Sequence, residues 1–462
     1  MISVGICLYY LQDNHYDKKD IFKEYTISSD KMIDLLNNLW ILIAGVLVFT
    51  MTISVGLLEA GELGDVFSDR VILKSMLIAG ISGIFFLLIG FNIAFSSSSN
   101  GFIGNPFFAN ILSNPAVDAS TWWSTNQGFG AEGLYGPVYF LFEWAFISVT
   151  LALVSVLVLD RMKLTAFVIF AAVYSSLIYP IPASWVWNPS GFLANMGMVD
   201  FAGGVVVHVA AAAAGLAIIV ELYLETNSLK KKGLILKKNN YKPDYKIIGI
   251  AGLLLWLGWY GFNAGSVLQF NAGTIVVAMT TTMSASGAML TYTLIKKIKN
   301  LARVTTLDAV NGSLAGLIII TPMAGFVSPV VAIFVGFLGG IAFYLSERWF
   351  EKKHYFEDPI GLISGHGVLG FIGIFLIGFV GQASYSRLTG FEPSNLSTGS
   401  YNLPNGLFFN GGIAAIHLIG VEVLGAILVA LFAFVTSFIT LRIIAYILNG
   451  IVKEESLIPI SK

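Results

Sequence analysis

The sequence predicts an all-α membrane protein of eleven transmembrane helices: two inverted five-helix repeats followed by a long final helix. Three observations predict it. Hydrophobic residues make up 56% of the 462 residues and charged ones only 11%, against about a quarter charged in a soluble domain. The apolar residues fall in continuous rather than alternating runs, which excludes a transmembrane barrel. One pattern of Asp, Gly and His also occurs twice, in the fifth and tenth of those runs.

A spanning helix needs about 20 apolar residues. Such runs lie at 38–58, 72–96, 136–159, 163–182, 201–222, 246–264, 272–295, 304–322, 327–346, 361–381 and 411–449. They define a membrane domain over residues 37–450, preceded by a polar tail, 1–36, and followed by a short tail, 451–462. The opening "MISVGICLYYLQ" has an apolar stretch but no basic flank and no small-residue cleavage site, so it reads poorly as a secretory signal. Residues 12–36 mix lysines with aspartates and read as extramembrane. The 48 glycines are scattered through the apolar runs, where small residues let helices approach closely.

Basic residues orient the chain, because Lys and Arg collect on the cytoplasmic side. The connections 97–135, 183–200, 265–271 and 323–326 contain none, and 382–410 contains only Arg387. The alternate connections and the C-terminal segment hold 21 of the 26, including Arg70, Lys74 and the seven lysines from Lys230 to Lys246. The remaining five are Arg387 and the four lysines of the N-terminal tail, which are the discordant group. The pattern predicts an extracellular N-terminus and a cytoplasmic C-terminus. A net charge of −1 with no basic stripe gives no sign of nucleic-acid binding, and the single Cys7 removes any disulfide framework or Cys-based metal site.

The repeated pattern is D-x2-G-x4-H-x6-G. One copy uses Asp200, Gly203, His208 and Gly215, in "VDFAGGVVVHVAAAAAGLA"; the other uses Asp358, Gly361, His366 and Gly373, in "DPIGLISGHGVLGFIG". Five spans being an odd number, the second copy must lie inverted in the membrane, and such repeats place a site near the midplane at their interface. Only five histidines exist, and two hold equivalent repeat positions. His208 and His366 would then face each other across a pseudo-two-fold axis. Two adjacent imidazoles can share one N–H···N proton, and can both donate to and accept from a small polar molecule while uncharged. Each could instead merely bond a neighbouring helix. No Cys or third His stands nearby in sequence to complete a metal site.

Asp200 opens the fifth span on the extracellular side. An ionisable residue there is a functional candidate, and its carboxylate could equally cap the helix's free N–H groups. Aromatics gather at the same end. Trp187 precedes the Asp200 helix, while Phe146 in "LFEWAFISVT" and Phe262 in "GWYGFNAGS" lie in spans three and six, with Ser266 a turn beyond Phe262. Aromatic faces attract cations by about 0.5–2 kcal/mol each. Taken singly, these are also ordinary interfacial or packing residues.

With "VDFAGGVVVHVAAAAAGLA", "WYGFNAGS", "ITPMAGFV" and "EDPIGLISGHGVLGFIG" in order on the matching spans, residues 37–450 resemble the ammonium transporter/Rh family, on its ammonium transporter branch. The resemblance implies a homotrimer with one pore per subunit, in a plasma or inner membrane. It casts His208 and His366 as the pore's twin histidines and Asp200 as a structural carboxylate that biases the site toward cations. Phe146, Trp187 and Ser266 match an outer ammonium recruitment site, and Phe146 and Phe262 a stacked gate. The implied process recruits ammonium (methylammonium being an analogue), removes its proton and conducts ammonia, with the proton following separately. No cofactor and no enzymatic activity are implied.

The sequence departs from the family in four places. Gly361 stands where the family often has an acidic residue. Glu143 stands three residues before Phe146, where the family pattern leads one to expect Gln. "SDRVILK" replaces a basic RxKN connection. The tail "RIIAYILNGIVKEESLIPISK" shows no Gly-Leu-Asp…His-Gly-Glu segment, which leaves regulation by a PII-type protein without its motif. An ionised Glu143 would strengthen cation recruitment or accept the released proton; a protonated or paired Glu143 would only pack helices. Glu422 and His417 in the last span read as structural. Three other functions use the same residues: an ammonium sensor on this fold, a gas channel of the Rh type, and an intramembrane enzyme with Ser364 or Ser266 as nucleophile. The last has no recognised motif framing its serine.

Overall fold

The computed structural model describes residues 29–64, 68–98, 100–107, 133–158, 161–236, 242–300, 303–352, 358, 361–390 and 403–459. Among them eleven helices are long and apolar enough to span a membrane: Ser29–Leu63, Arg70–Phe95, Gly136–Ser155, Leu164–Val186, Gly204–Lys231, Tyr245–Ala264, Ala272–Lys299, Thr306–Met323, Pro329–Glu351, Leu362–Val380 and Gly412–Ile447. We number them spans one to eleven. Span one begins at Ser29, inside the segment read as a polar tail, with Asp30 in its first turn where the helix dipole favours an acid. "MISVGICLYYLQ" and three of the four tail lysines lie outside the described residues.

The packing repeats as the sequence pattern does. Span one packs on two and three, two on three and four, and three on five; six packs on seven and eight, seven on eight and nine, and eight on ten. Across the halves, span one meets six and span five meets ten, which places those two pairs on the axis. Span eleven runs 36 residues along spans four, five and ten. Its His417 is exposed and its Glu422 is buried.

Two charged features behave differently from their place in the sequence. Lys74, counted above as a connection residue, is only 5% exposed and lies inside the bundle. Its Nζ donates to both oxygens of Glu59, at 2.6 and 2.7 Å, and to the Ser155 carbonyl at 2.9 Å, tying spans one, two and three together. Removing one partner of such a buried pair strands the other charge, at about 3–5 kcal/mol. The C-terminal segment is docked on the protein. Its strand β2 (Leu457–Pro459) pairs antiparallel with β1 (Leu234–Leu236). The N–H groups of Ile451 and Val452 donate to Glu225, and Lys163 Nζ caps the Leu448 and Gly450 carbonyls.

Candidate functional site

Spans five and ten each open on a short π-helical segment, 204–209 and 362–367. In each, the histidine N–H reaches five residues back, His208 to the Gly203 carbonyl at 3.0 Å and His366 to the Gly361 carbonyl at 3.2 Å. Such wide turns recur at functional sites because they re-aim a side chain that a regular α-turn would point elsewhere. Each segment is entered through a left-handed glycine, Gly203 with φ +107° and Gly361 with φ +67°. Only glycine adopts that conformation without a Cβ penalty. The departure at Gly361 thereby has a structural reason: it starts the second π turn as Gly203 starts the first.

The two aspartates of the pattern cap these turns. Asp200, fully buried, accepts the N–H groups of Gly203, Gly204, Val205 and Val206 at 2.6–3.0 Å. Asp358 accepts those of Ile363 and Ser364 at 3.0 and 2.8 Å. First-turn N–H groups have no partner within the helix, and a carboxylate satisfies them while favouring the dipole. The approach to Asp200 is held by Glu422, whose Oε1 accepts the Val199 N–H at 2.9 Å. That buried contact gives the one acid of the last span a structural role.

Between the turns, His208 Nδ1 and His366 Nδ1 lie 3.1 Å apart. A contact of that length holds one proton between two nitrogens, so one ring donates and the other accepts. The Nε2 of the donor is then a bare acceptor, and the Nε2 of the acceptor carries a hydrogen. The pair therefore offers one donor and one acceptor without net charge. His208 Nε2 is buried and has no hydrogen-bond partner.

Both imidazoles border a narrow cavity of about 20 Å³, lined otherwise by apolar groups including Val149, Leu153, Leu255 and Leu314. One water needs about 10–15 Å³, so a molecule of water or ammonia size fits and a hydrated ion does not. Trp259 also lines the cavity. Its ring packs on His208 with centroids 5.7 Å apart, and its Nε1 donates to Thr321 at 3.0 Å. The sequence reading missed Trp259, although its place three residues before Phe262 on the same helix face was available as a signal.

Towards one end, the rings form a column. Phe262 stacks near-parallel over His208 at 5.9 Å, and Phe146 over Phe262 at 4.2 Å and 14°. Phe262 itself sits in a third π segment, Tyr260–Ala264. Both phenylalanines are buried and close the path above the histidines. Trp187 meets Phe146 edge-on at 6.0 Å, and its Nε1 donates to the Asp200 carbonyl at 2.7 Å, which fixes the indole. Ser266, half-buried, donates its hydroxyl hydrogen to the Phe262 carbonyl at 2.8 Å, leaving the oxygen lone pairs as acceptors. Trp187, just beyond the end of span four, thus adds a third ring to the stacked pair, and Ser266 lies one turn beyond Phe262. Of the residues singled out from the sequence, His208, His366 and Phe262 line the cavity, Phe146 and Trp187 continue the ring contacts from Phe262, and Asp200 and Ser266 bond the backbone of these elements.

Comparison with known proteins gives the family. The profile of the Ammonium Transporter Family matches residues 39–458. An ammonium transporter of Aquifex aeolicus is 32% identical over 359 residues, 78% of this chain and 80% of the relative. A putative ammonium transporter of Methanothermobacter thermautotrophicus is 32% identical over 374 residues, covering 80% and 86%. Among solved structures, Saccharomyces cerevisiae Mep2 superposes with a TM-score of 0.76 at 24% identity, over 91% of this chain and 88% of its own. A sensor Amt protein superposes with 0.75 at 24%, over 92% and 96%. The histidine-bearing, inverted five-helix halves and the profile match agree: this chain belongs to the ammonium transporter family.

Proposed function

We propose that the protein carries ammonium across the cell membrane by separating it into ammonia and a proton. Ammonium collects at the aromatic mouth, where the faces of Trp187 and Phe146 attract a cation and the Ser266 oxygen accepts one of its hydrogens. Charge cannot follow the apolar path beyond, because a bare cation in such surroundings is costly. Ammonia can. It passes the Phe146–Phe262 gate when the rings part, then exchanges hydrogen bonds with the donor and acceptor of the His208–His366 pair. Sodium and potassium have no proton to leave behind, so the same apolar wall excludes them.

The observation that supports this most strongly is the histidine contact: 3.1 Å between two buried Nδ1 atoms beside a cavity of ammonia size. In this reading Asp200 holds the fifth helix's first turn, and its charge favours cations at the mouth above. The mouth faces outside, with the C-terminus cytoplasmic. The working unit is a homotrimer with one pore per subunit, and the proton crosses by a separate route, so transport carries current. A sensor with little flux is the second reading, since a sensor Amt protein has the same fold. Ammonium-evoked current and methylammonium uptake in liposomes separate the two. Transport predicts a saturable current with uptake and no response to potassium. Binding of ammonium without flux would establish the sensor.

A further inference from the structure

We infer that Glu143 is the group that takes the proton from ammonium at the mouth, an inference that rests on the transport reading above. Glu143 lies in span three, one helical turn from Phe146 on the side of the mouth. It is 5% exposed. One carboxyl oxygen engages the Tyr139 hydroxyl; the other, Oε2, is buried with no partner. No cation is paired with it among the described residues. Tyr179, fully buried, lies within electrostatic reach of both Glu143 and Asp200. The titratable groups that interact with it are Tyr139 on its own helix and Tyr179 on span four.

A carboxylate buried without a cation is costly, and ammonium is the cation that arrives at this level. Once the two meet away from water, the pair loses both charges by moving one proton. An N–H bond of ammonium breaks, its electron pair stays on nitrogen, and an O–H bond forms at Glu143 Oε2. Ammonia and a carboxylic acid remain, both neutral, and only ammonia continues past Phe146. The carboxylic acid resets by losing this proton to water: its O–H bond breaks with the electron pair left on Oε2, and a hydronium ion forms. A glutamine at this position, nearly equal in size, keeps one acceptor oxygen for Tyr139 but has an NH2 group where Oε2 stood and could not accept ammonium's proton.

The test uses the full-length protein in liposomes. Glu143→Gln is expected to cut the ammonium-evoked current roughly tenfold or more and to flatten its dependence on pH, while Glu143→Asp restores part of both. Infrared difference spectra on adding ammonium should show a protonated-carboxyl carbonyl band in the wild type, absent in Glu143→Gln. A Glu143→Gln protein with wild-type current and pH profile would overturn the inference, as would a band that persists in the variant. Absence of current in the wild type fails the transport reading instead, and the infrared band then tests proton acceptance independently.

Discussion

The two histidine-bearing turns are built to one plan and finished differently. Both have a left-handed glycine, a π turn and a capping aspartate, yet Asp200 is fully buried and holds four N–H groups while Asp358 is half-buried and holds two through its side chain. Above the first turn stand Trp187, Phe146 and Phe262. The second has no such aromatic stack among the described contacts. The difference teaches that the repeat supplies the symmetric centre, the paired imidazoles, whereas the asymmetry comes from what each half adds at its own end. In the proposed mechanism a cation needs to be recognised and stripped at one mouth only.

The capping aspartates should separate the halves most sharply. Asp200→Ala strands four first-turn N–H groups in a buried site, and each unsatisfied buried group costs about 1–3 kcal/mol. We expect a loss of about 4 kcal/mol or more, seen as failure to accumulate folded protein or a large fall in the melting temperature of the purified protein. Asp358→Ala should cost about half as much. Equal losses would show that the two caps carry equal weight.

The entry glycines give a smaller contrast. A Cβ at Gly203 would stand 2.5 Å from Val207 Cγ2, whereas at Gly361 the nearest atoms are the Phe343 ring at 3.2 Å. Both alanine variants carry the left-handed penalty of about 1–2 kcal/mol, and Gly203→Ala adds a collision that Gly361→Ala largely avoids. Melting temperatures should therefore fall further for Gly203→Ala. The reverse order would mean that the span-ten turn is the less tolerant of the two.

Much of this was legible in the sequence, for reasons tied to particular residues. The spacing from Asp200 to His208 and from Asp358 to His366 is local, so it survives as a string, and the offset of five spans from one copy to the other, an odd number, gives the inversion. Phe146, Phe262, Trp187 and Ser266 were legible through the family resemblance, their separate positions being ambiguous. What was hidden depends on the third dimension. The π turns arise from an i−5 register set by the aspartate caps and the left-handed glycines, and no hydrophobic period reports it. Lys74 looked like a connection residue because Glu59, its partner, lies on another helix. Trp259 went unnoticed because the cavity it lines forms only when spans one, three, five, six, eight and ten converge. The docking of 451–459 onto strand β1 joins segments more than 200 residues apart.

The paired imidazoles are the central claim, and replacing both tests it most directly. His208→Ala together with His366→Ala should leave the protein inserted and assembled while removing the donor and acceptor from the pore. In liposomes, current evoked by ammonium should then vanish or lose its selectivity against potassium. If the double variant carries a wild-type ammonium current with selectivity intact, the His208–His366 pair is not the conducting element.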